Sequence, residues 1–511
     1  MEYFVSPTGN NGNAGTLASP WRSWHYGFNL LNAGDTLWVR GGTYSGLASL
    51  CPASGTHRYG VLVSGRNGTA ANHITVKNYQ NEVPILDGSY WNASTADPLR
   101  SSIIGLRMNS CNYWDVTGLE IKNFLYYADN DQNCASGWLD SCTNMTFNRI
   151  SAHDNGNGWE IDAMGSNSNY LYWNNCDTYQ CHDRFIGAGG ETPGGLANGW
   201  HSGLDAGSHI FFNGCRAWSC SDDGWDFFGS AGFITWINCW GFSNGDGYGG
   251  VVGDGSGFKM GPITTAEAGN QRVLYNCLAF DNTGIDGRGF DQNQAGAPFV
   301  PKQLYNCSAY NNMTNYQFWT QSGSLIRNCL SLDGPLKEQG DDWGDSTLDH
   351  NGWQGGLITS AADFVSVLTA QAKGARQANG DLPVLTLLHL TAGSDLINAG
   401  DATAIYATDG DGQGWDTPPS IGAFEFNGTP PIPPAVIAVT GVTVVGAGSQ
   451  TVITTPAGTL QMSAHIDPHN ATDQTVVWSV ANGTGSASIS ASGLLTAITN
   501  GTVTVKATSN G

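Results

Sequence analysis

An apolar run closed by Asn-Cys or Gly-Cys recurs through the middle of the chain and limits its fold more than any other feature. Cys176, Cys215, Cys239, Cys277, Cys307 and Cys329 end six such runs, 39, 24, 38, 30 and 22 residues apart. A second short strand-like run and a polar loop follow each one. Repeats with a period of about 20–50 residues mark solenoids, whose units bury their apolar faces only against their neighbours. The runs alternate with a period of two and no long helix separates them, which predicts an all-β, right-handed parallel β-helix. Asn175, Asn238, Asn276, Asn306 and Asn328 then fall at one bend of successive coils, where a hydrogen-bonded side-chain ladder is expected. The recurring cysteines read as small buried hydrophobes. Cys134 with Cys142, and Cys181 with Cys220, are disulfide candidates whose pairing the sequence does not decide.

The two ends differ from this middle. Around Trp21–Leu31 the pattern is that of an apolar amphipathic helix, suited to covering the open end of a stack. Residues 394–426 read as the closing coil, which sets a solenoid domain at 1–426. A Pro-rich linker follows at 427–437. Residues 438–511 alternate apolar and polar positions between turn signals, as a small antiparallel immunoglobulin-like β-sandwich does. That module carries no cluster of His, Asp or Cys and reads as a spacer or attachment unit.

Charge narrows the partners. Twenty basic residues against 42 acidic ones give −22, which disfavours nucleic acid and anionic membrane surfaces. An anionic polymer would bind only with a cation between the two. No apolar run is long enough to cross a bilayer. We expect a secreted or cell-surface protein, monomeric, whose signal peptide was removed ahead of Met1.

The chemistry concentrates at residues 196–261. Asp222, Asp223 and Asp226 lie within five positions, and Lys259 follows in a Gly-rich, aromatic setting. Clustered carboxylates are hard oxygen ligands suited to Ca²⁺, which takes about 6–8 of them. A divalent cation nearby would push a lysine toward its neutral, basic form. Asp-Asp-Gly also satisfies ordinary tight turns.

Taken in order, SPTGNNGNAGTLASPWRSW, CRAWSCSDDGWDFF, ITWINCWGFSNG, GSGFKMG and RGFDQN resemble family 9 polysaccharide lyases of the pectate-lyase type, over residues 3–426. The C-terminal module resembles bacterial immunoglobulin-like group 2 domains. The first resemblance implies a Ca²⁺ held by Asp222, Asp223 and Asp226 together with an acidic residue of the preceding coil, and Lys259 as base. Asn198 stands where that acidic residue is expected; it keeps an oxygen and loses a charge. The implied activity is β-elimination on a uronate-containing polysaccharide such as pectate. Arg288, Asp291 and Asn293 would bind substrate one coil beyond Lys259, unless Arg288 serves only an ion pair with Asp286 or Asp291, and Trp200, Trp225 and Trp240 would stack on sugar rings unless they are core. His201 and His182 read as an acid, a metal ligand or hydrogen-bonded loop residues. Other readings stay open: the same lyase chemistry on rhamnogalacturonan or a bacterial exopolysaccharide, a hydrolase using Asp223 and Asp246, or a non-catalytic glycan-binding surface protein.

Overall fold

Strands this short, each ending on a residue that tolerates a left-handed backbone, must turn sharply and repeatedly. In the computed structural model they do so around three faces. It describes the chain apart from residues 47–48, 52–56, 94–101, 127–133, 162–167, 184–192, 204–207, 229, 231, 262–271, 294–300, 320–322, 429–438, 447–449, 468–475, 491–492 and 510–511. One coil runs His209–Asn213, Arg216–Trp218, Trp225–Asp226, and the next begins at Phe233–Ile237. Each strand pairs in parallel with its counterpart one coil away. Among the described residues this gives a first sheet of twelve strands and a second and third of ten each. The expected parallel β-helix is what forms.

The bend from the first sheet to the second is a single left-handed residue. Asn175, Asn238, Asn276, Asn306 and Asn328 all have φ of 53–54° there, with Gly214 at 63° in the same place. Asn and Gly are the residues that enter this region at least cost. A side chain at position 214 would meet Asn175 Oδ1 at 2.3 Å, so the Asn175 amide would have to turn aside. The expected ladder is present in pieces: Asn276 Nδ2 donates to Asn238 Oδ1 at 3.0 Å and Asn328 Nδ2 to Asn306 Oδ1 at 3.4 Å. These amides also hold the closing segment, since Asn276 donates to Thr408 O, Asn306 to Gly422 O and Asn328 to Asp401 O.

A second asparagine ladder, unforeseen in the sequence, lies wholly inside after the second sheet. Asn244 donates to Asn282, Asn282 to Asn312, and Asn312 to Asn315, at 3.1, 2.7 and 2.9 Å. Replacing Asn282 with Ala would strand the Asn244 backbone N–H and take an acceptor from its side-chain amide and a donor from Gly241 O, while Asn312 Oδ1 keeps the residue 282 N–H. With each unmet buried group worth about 1–3 kcal/mol, we expect a loss of about 2 kcal/mol or more, read as a lowered urea midpoint by circular dichroism. A midpoint unchanged from the wild type would mean that the ladder adds little.

All twelve cysteines are buried thiols, and neither candidate disulfide is formed. Cys176 Sγ lies 3.4 Å from Phe147 O and Cys215 Sγ 3.4 Å from Trp173 O, each reaching a carbonyl one coil back. The N-terminal helix spans Trp24–Leu30, shorter than expected because Ser23 caps it by accepting the Tyr26 N–H. It buries Trp24, Gly27 and Phe28, and Phe28 stacks on Trp114 inside the first coils.

By contacts, one unit comprises Met1–Thr369, Gln377–Leu382 and Thr386–Pro430, and the other Ala370–Arg376, Pro383–Leu385 and Pro431–Gly511. The expected linker, 427–437, lies outside the described residues from 429 onward. In the second unit Gly441–Gly446, Thr459–Asp467, Leu494–Thr499 and Ser486–Ile489 form one antiparallel sheet, and Val476–Asn482 pairs with Val503–Ser509 in another.

Candidate active site

Side chains alternate across a strand, and on the third sheet this sorts residues into two rows of opposite character. The inward row is aromatic: Trp200, Trp225, Phe258, Phe290 and Tyr316 stack with centroids 5.0, 4.6, 5.1 and 5.2 Å apart. Trp200 and Trp225 are 0% exposed. They therefore do not bind sugar, contrary to the sequence expectation; their rings form the floor's underside. Trp240 is likewise buried, in the second sheet.

The outward row is polar. Glu160, His201, Asp226, Lys259, Asp291 and Gln317 are successive cross-strand partners. Just before these strands the chain bends at a column of stacked glycines. A side chain on Gly199 would meet Gly224 O at 2.5 Å, and one on Gly224 would meet Gly257 O at 2.7 Å. That close approach puts Asn198, Asp223 and Ser256, each preceding its glycine, on neighbouring coils.

Lys259 Nζ sits among four carboxylates. It is 2.9 Å from Asp254 Oδ2, 3.0 Å from Asp223 Oδ2 and 3.9 Å from Asp226 Oδ2. Asp222, Asp223 and Asp254 bring one oxygen each within 4.8 Å of one another. Asp222 Oδ1 accepts the Asp254 N–H at 2.8 Å and Asp223 Oδ1 the Ser256 N–H at 2.6 Å, which fixes the three together. Burial and neighbouring negative charge push the Asp222 carboxyl up strongly and that of Asp223 up to about 7. Burial alone would lower the Lys259 ammonium, but the charges of Asp223, Asp226, Asp222 and Asp254 hold it well above its ordinary value. The lysine pKa in this arrangement is therefore raised, because the acidic groups face it directly; the expected depression concerned a lysine beside a bound divalent cation.

Asp254 is the residue that sequence reading missed. It lies five positions before Lys259 in a Gly-rich loop, and only coil stacking brings it beside Asp222. Asn198, expected as a ligand, turns its Oδ1 to the Asp223 N–H at 3.0 Å and so positions the acidic run. Asp226 lies on the outward row beside Lys259, its Oδ1 accepting the Phe228 N–H.

One coil beyond, Arg288 pairs with Asp291 at 2.9 Å and Asp286 at 3.2 Å, and Asn293 donates its backbone N–H to Asp291 Oδ1. His201 Nδ1 lies 2.7 Å from Glu160 Oε2. Burial opposes its protonation, yet the Glu160 charge raises it to about 9, so the row carries a cation two strands before Lys259. His182 is buried elsewhere, against Gln180 O and Tyr248. Asp246 accepts from Ser219 and Tyr248 rather than joining the Asp222–Asp223–Asp254 group.

Comparison with known proteins matches two parts of the chain to family models. Residues 3–329 match the family model described as "Pel9A-like, right handed beta helix region", and residues 438–511 match "Bacterial Ig-like domain (group 2)". "Pectate lyase L" of Dickeya dadantii is 30% identical over 442 residues, covering 83% of this chain and 90% of that protein. "Pectate lyase PEL9" of Emericella nidulans is 26% identical over 408 residues, covering 75% and 90%. The crystal structure of pectate lyase Pel9A superposes with a TM-score of 0.66 at 26% identity, covering 83% of this chain and 96% of that one. A rhamnogalacturonan lyase at 22% identity and a TM-score of 0.63 shares the fold. The chain belongs to the Pel9A-like right-handed β-helix family and is a polysaccharide lyase.

Proposed function

We propose that the chain is a secreted, Ca²⁺-assisted lyase that cleaves a uronate polymer of the pectate class by β-elimination at Lys259. The observation that carries this is a single ammonium held among four carboxylates on the outward row of the third sheet. Four acids against one lysine are more than its single charge can neutralise, and the substrate itself is anionic. Asp223 Oδ2 is buried and accepts no well-aligned hydrogen bond, the Lys259 ammonium being its near neighbour. That donor set fits a hard divalent cation, with Asp222, Asp223 and Asp254 as its protein ligands and Asp226 alongside. When bound, Ca²⁺ would occupy these carboxylates, neutralise a substrate carboxylate and stabilise the enediolate charge of the transition state.

The rest falls to the chain's own residues. With its acidic neighbours engaged, burial is what remains acting on Lys259, and burial favours the neutral amine. Nζ then takes the proton alpha to the uronate carboxylate as the 4-linked oxygen departs. Protonated His201 on the row and the Arg288 guanidinium paired with Asp291 lie on either side of Lys259 and would orient neighbouring carboxylates of the polymer. Neither needs to move a proton.

The direct test is the absorbance of the unsaturated uronate product with polygalacturonate, rhamnogalacturonan and acidic exopolysaccharides, with and without chelator. A chelator-sensitive rise on polygalacturonate is expected. A rise confined to another polymer would replace the substrate, and reducing ends without absorbance would end the lyase reading.

Asn198 gives a prediction of opposite sign to the usual knockout. Asn198→Asp restores a carboxylate on the coil below Asp223 and can still accept the Asp223 N–H. Adding one charged ligand should tighten Ca²⁺ about tenfold, seen as a lower Ca²⁺ concentration at half-maximal rate. Weaker Ca²⁺ dependence in that variant would place Asn198 outside the cation's reach.

A further inference from the structure

An aliphatic column runs inward along the first sheet through Leu171, Ile210 and Ile234, and its next two members are Arg272 and Lys302. Both are 0% exposed. Leu274 and Leu304, two residues further along the same strands, are core, so parity turns the two cations inward as well. Parallel strands stand about 4.8 Å apart, which sets two like charges side by side where aliphatic side chains would pack.

The two are satisfied differently. The Arg272 guanidinium donates to the carbonyls of Met260, Ser230 and Gly232. Lys302 Nζ has no hydrogen-bond partner among the described residues. Asp291 is the acid whose charge reaches it, but both Asp291 oxygens are engaged, by Arg288 and by the Asn293 N–H. Gln292 Nε2 and Asn293 Nδ2, at the end of the strand preceding Lys302, and Trp319 Nε1, at the end of the next coil's strand, are also buried donors without an acceptor. A buried charge is tolerated when it is paired, and among the described residues Lys302 Nζ has no such pair within hydrogen-bond distance.

We propose that Lys302, beside Arg272, holds a small monovalent anion, chloride being the probe of choice, at the corner between the third and first sheets. The site is independent of the lyase reading and of Ca²⁺. Burial and the Arg272 charge push the Lys302 ammonium down to about 7, and an anion is what would keep it protonated there.

The test is thermal unfolding of the full chain at fixed ionic strength and fixed Ca²⁺, with gluconate exchanged for chloride. For a site half-filled near 10 mM, raising chloride from about 1 to 200 mM multiplies the folding constant about 20-fold, seen as a rise in Tm. Lys302→Met removes the buried charge, packs like its aliphatic neighbours, and is expected to unfold at the same temperature in both salts. Crystals soaked in bromide should show an anomalous peak beside Lys302. A wild-type Tm indifferent to the exchange, a Lys302→Met variant retaining the chloride response, or bromide absent from Lys302 would each overturn the proposal.

Discussion

Lys259→Ala is expected to lower kcat on polygalacturonate by about 10²–10⁴-fold, the range for removing a positioned proton acceptor, while binding Ca²⁺ more tightly than the wild type. The two effects have one origin. Lys259 Nζ lies within 4 Å of Asp223, Asp226 and Asp254, so it competes for the carboxylates that a divalent cation would use. On the proposed mechanism, deleting it removes the base and the competitor together. Isothermal titration with Ca²⁺ and initial rates from the product absorbance read them separately. A merely structural lysine would give the opposite pairing, with weakened Ca²⁺ binding from a loosened site and a rate that recovers at saturating Ca²⁺. Activity within tenfold of the wild type would remove Lys259 from the mechanism.

Asp223→Asn should weaken Ca²⁺ by on the order of 100-fold, since affinity at such sites follows ligand charge count. Its activity is expected to vanish at Ca²⁺ concentrations that saturate the wild type and to return only in part at far higher ones. The substitution keeps an oxygen for the Ser256 N–H, so the coil should hold, and an unchanged far-ultraviolet spectrum would confirm it. Asp223 is also a carboxyl that the fold pushes up to about 7. Its charge is then a liability to the metal-free protein at neutral pH. The variant should therefore match or exceed the wild type in stability in chelator and fall below it in Ca²⁺. Equal Ca²⁺ affinity in the two proteins would exclude Asp223 as a ligand.

The solenoid was legible because its repeats announce themselves: Asn or Gly before Cys marks a left-handed bend that few other residues enter. The acidic run and Lys259 were legible for a chemical reason, being charges in a stretch where charge is scarce. What stayed hidden depended on which coils meet. Asp254 is separated from Asp222 by 32 positions, and nothing in the Gly-rich loop shows that its N–H closes on Asp222 Oδ1. Asn198 looked like a ligand by position, yet its oxygen serves the Asp223 backbone. Trp200 and Trp225 were misplaced although local parity held the answer. With Asp226 on the outer face, its neighbour Trp225 must face inward, and Trp200 follows as its cross-strand partner. Arg272 and Lys302 obey the same parity, which overrides the usual rule that such residues seek water.

Residues of the outward row lie 41, 25, 33 and 32 positions apart from Glu160 to Asp291, yet each is a single strand spacing from the next. Distance along the groove is therefore counted in hydrogen-bond rungs, and chain length between rungs is free to vary. Insertions and deletions in the connections can redraw the walls that select a polymer without shifting proton acceptor or carboxylates by an ångström. The reverse holds inside the strands, where slipping one residue would exchange Asp226 for Trp225 and turn the chemical face into the packing face. Engineering a new substrate preference on this scaffold thus calls for loop-length libraries between fixed short strands rather than substitutions on the floor.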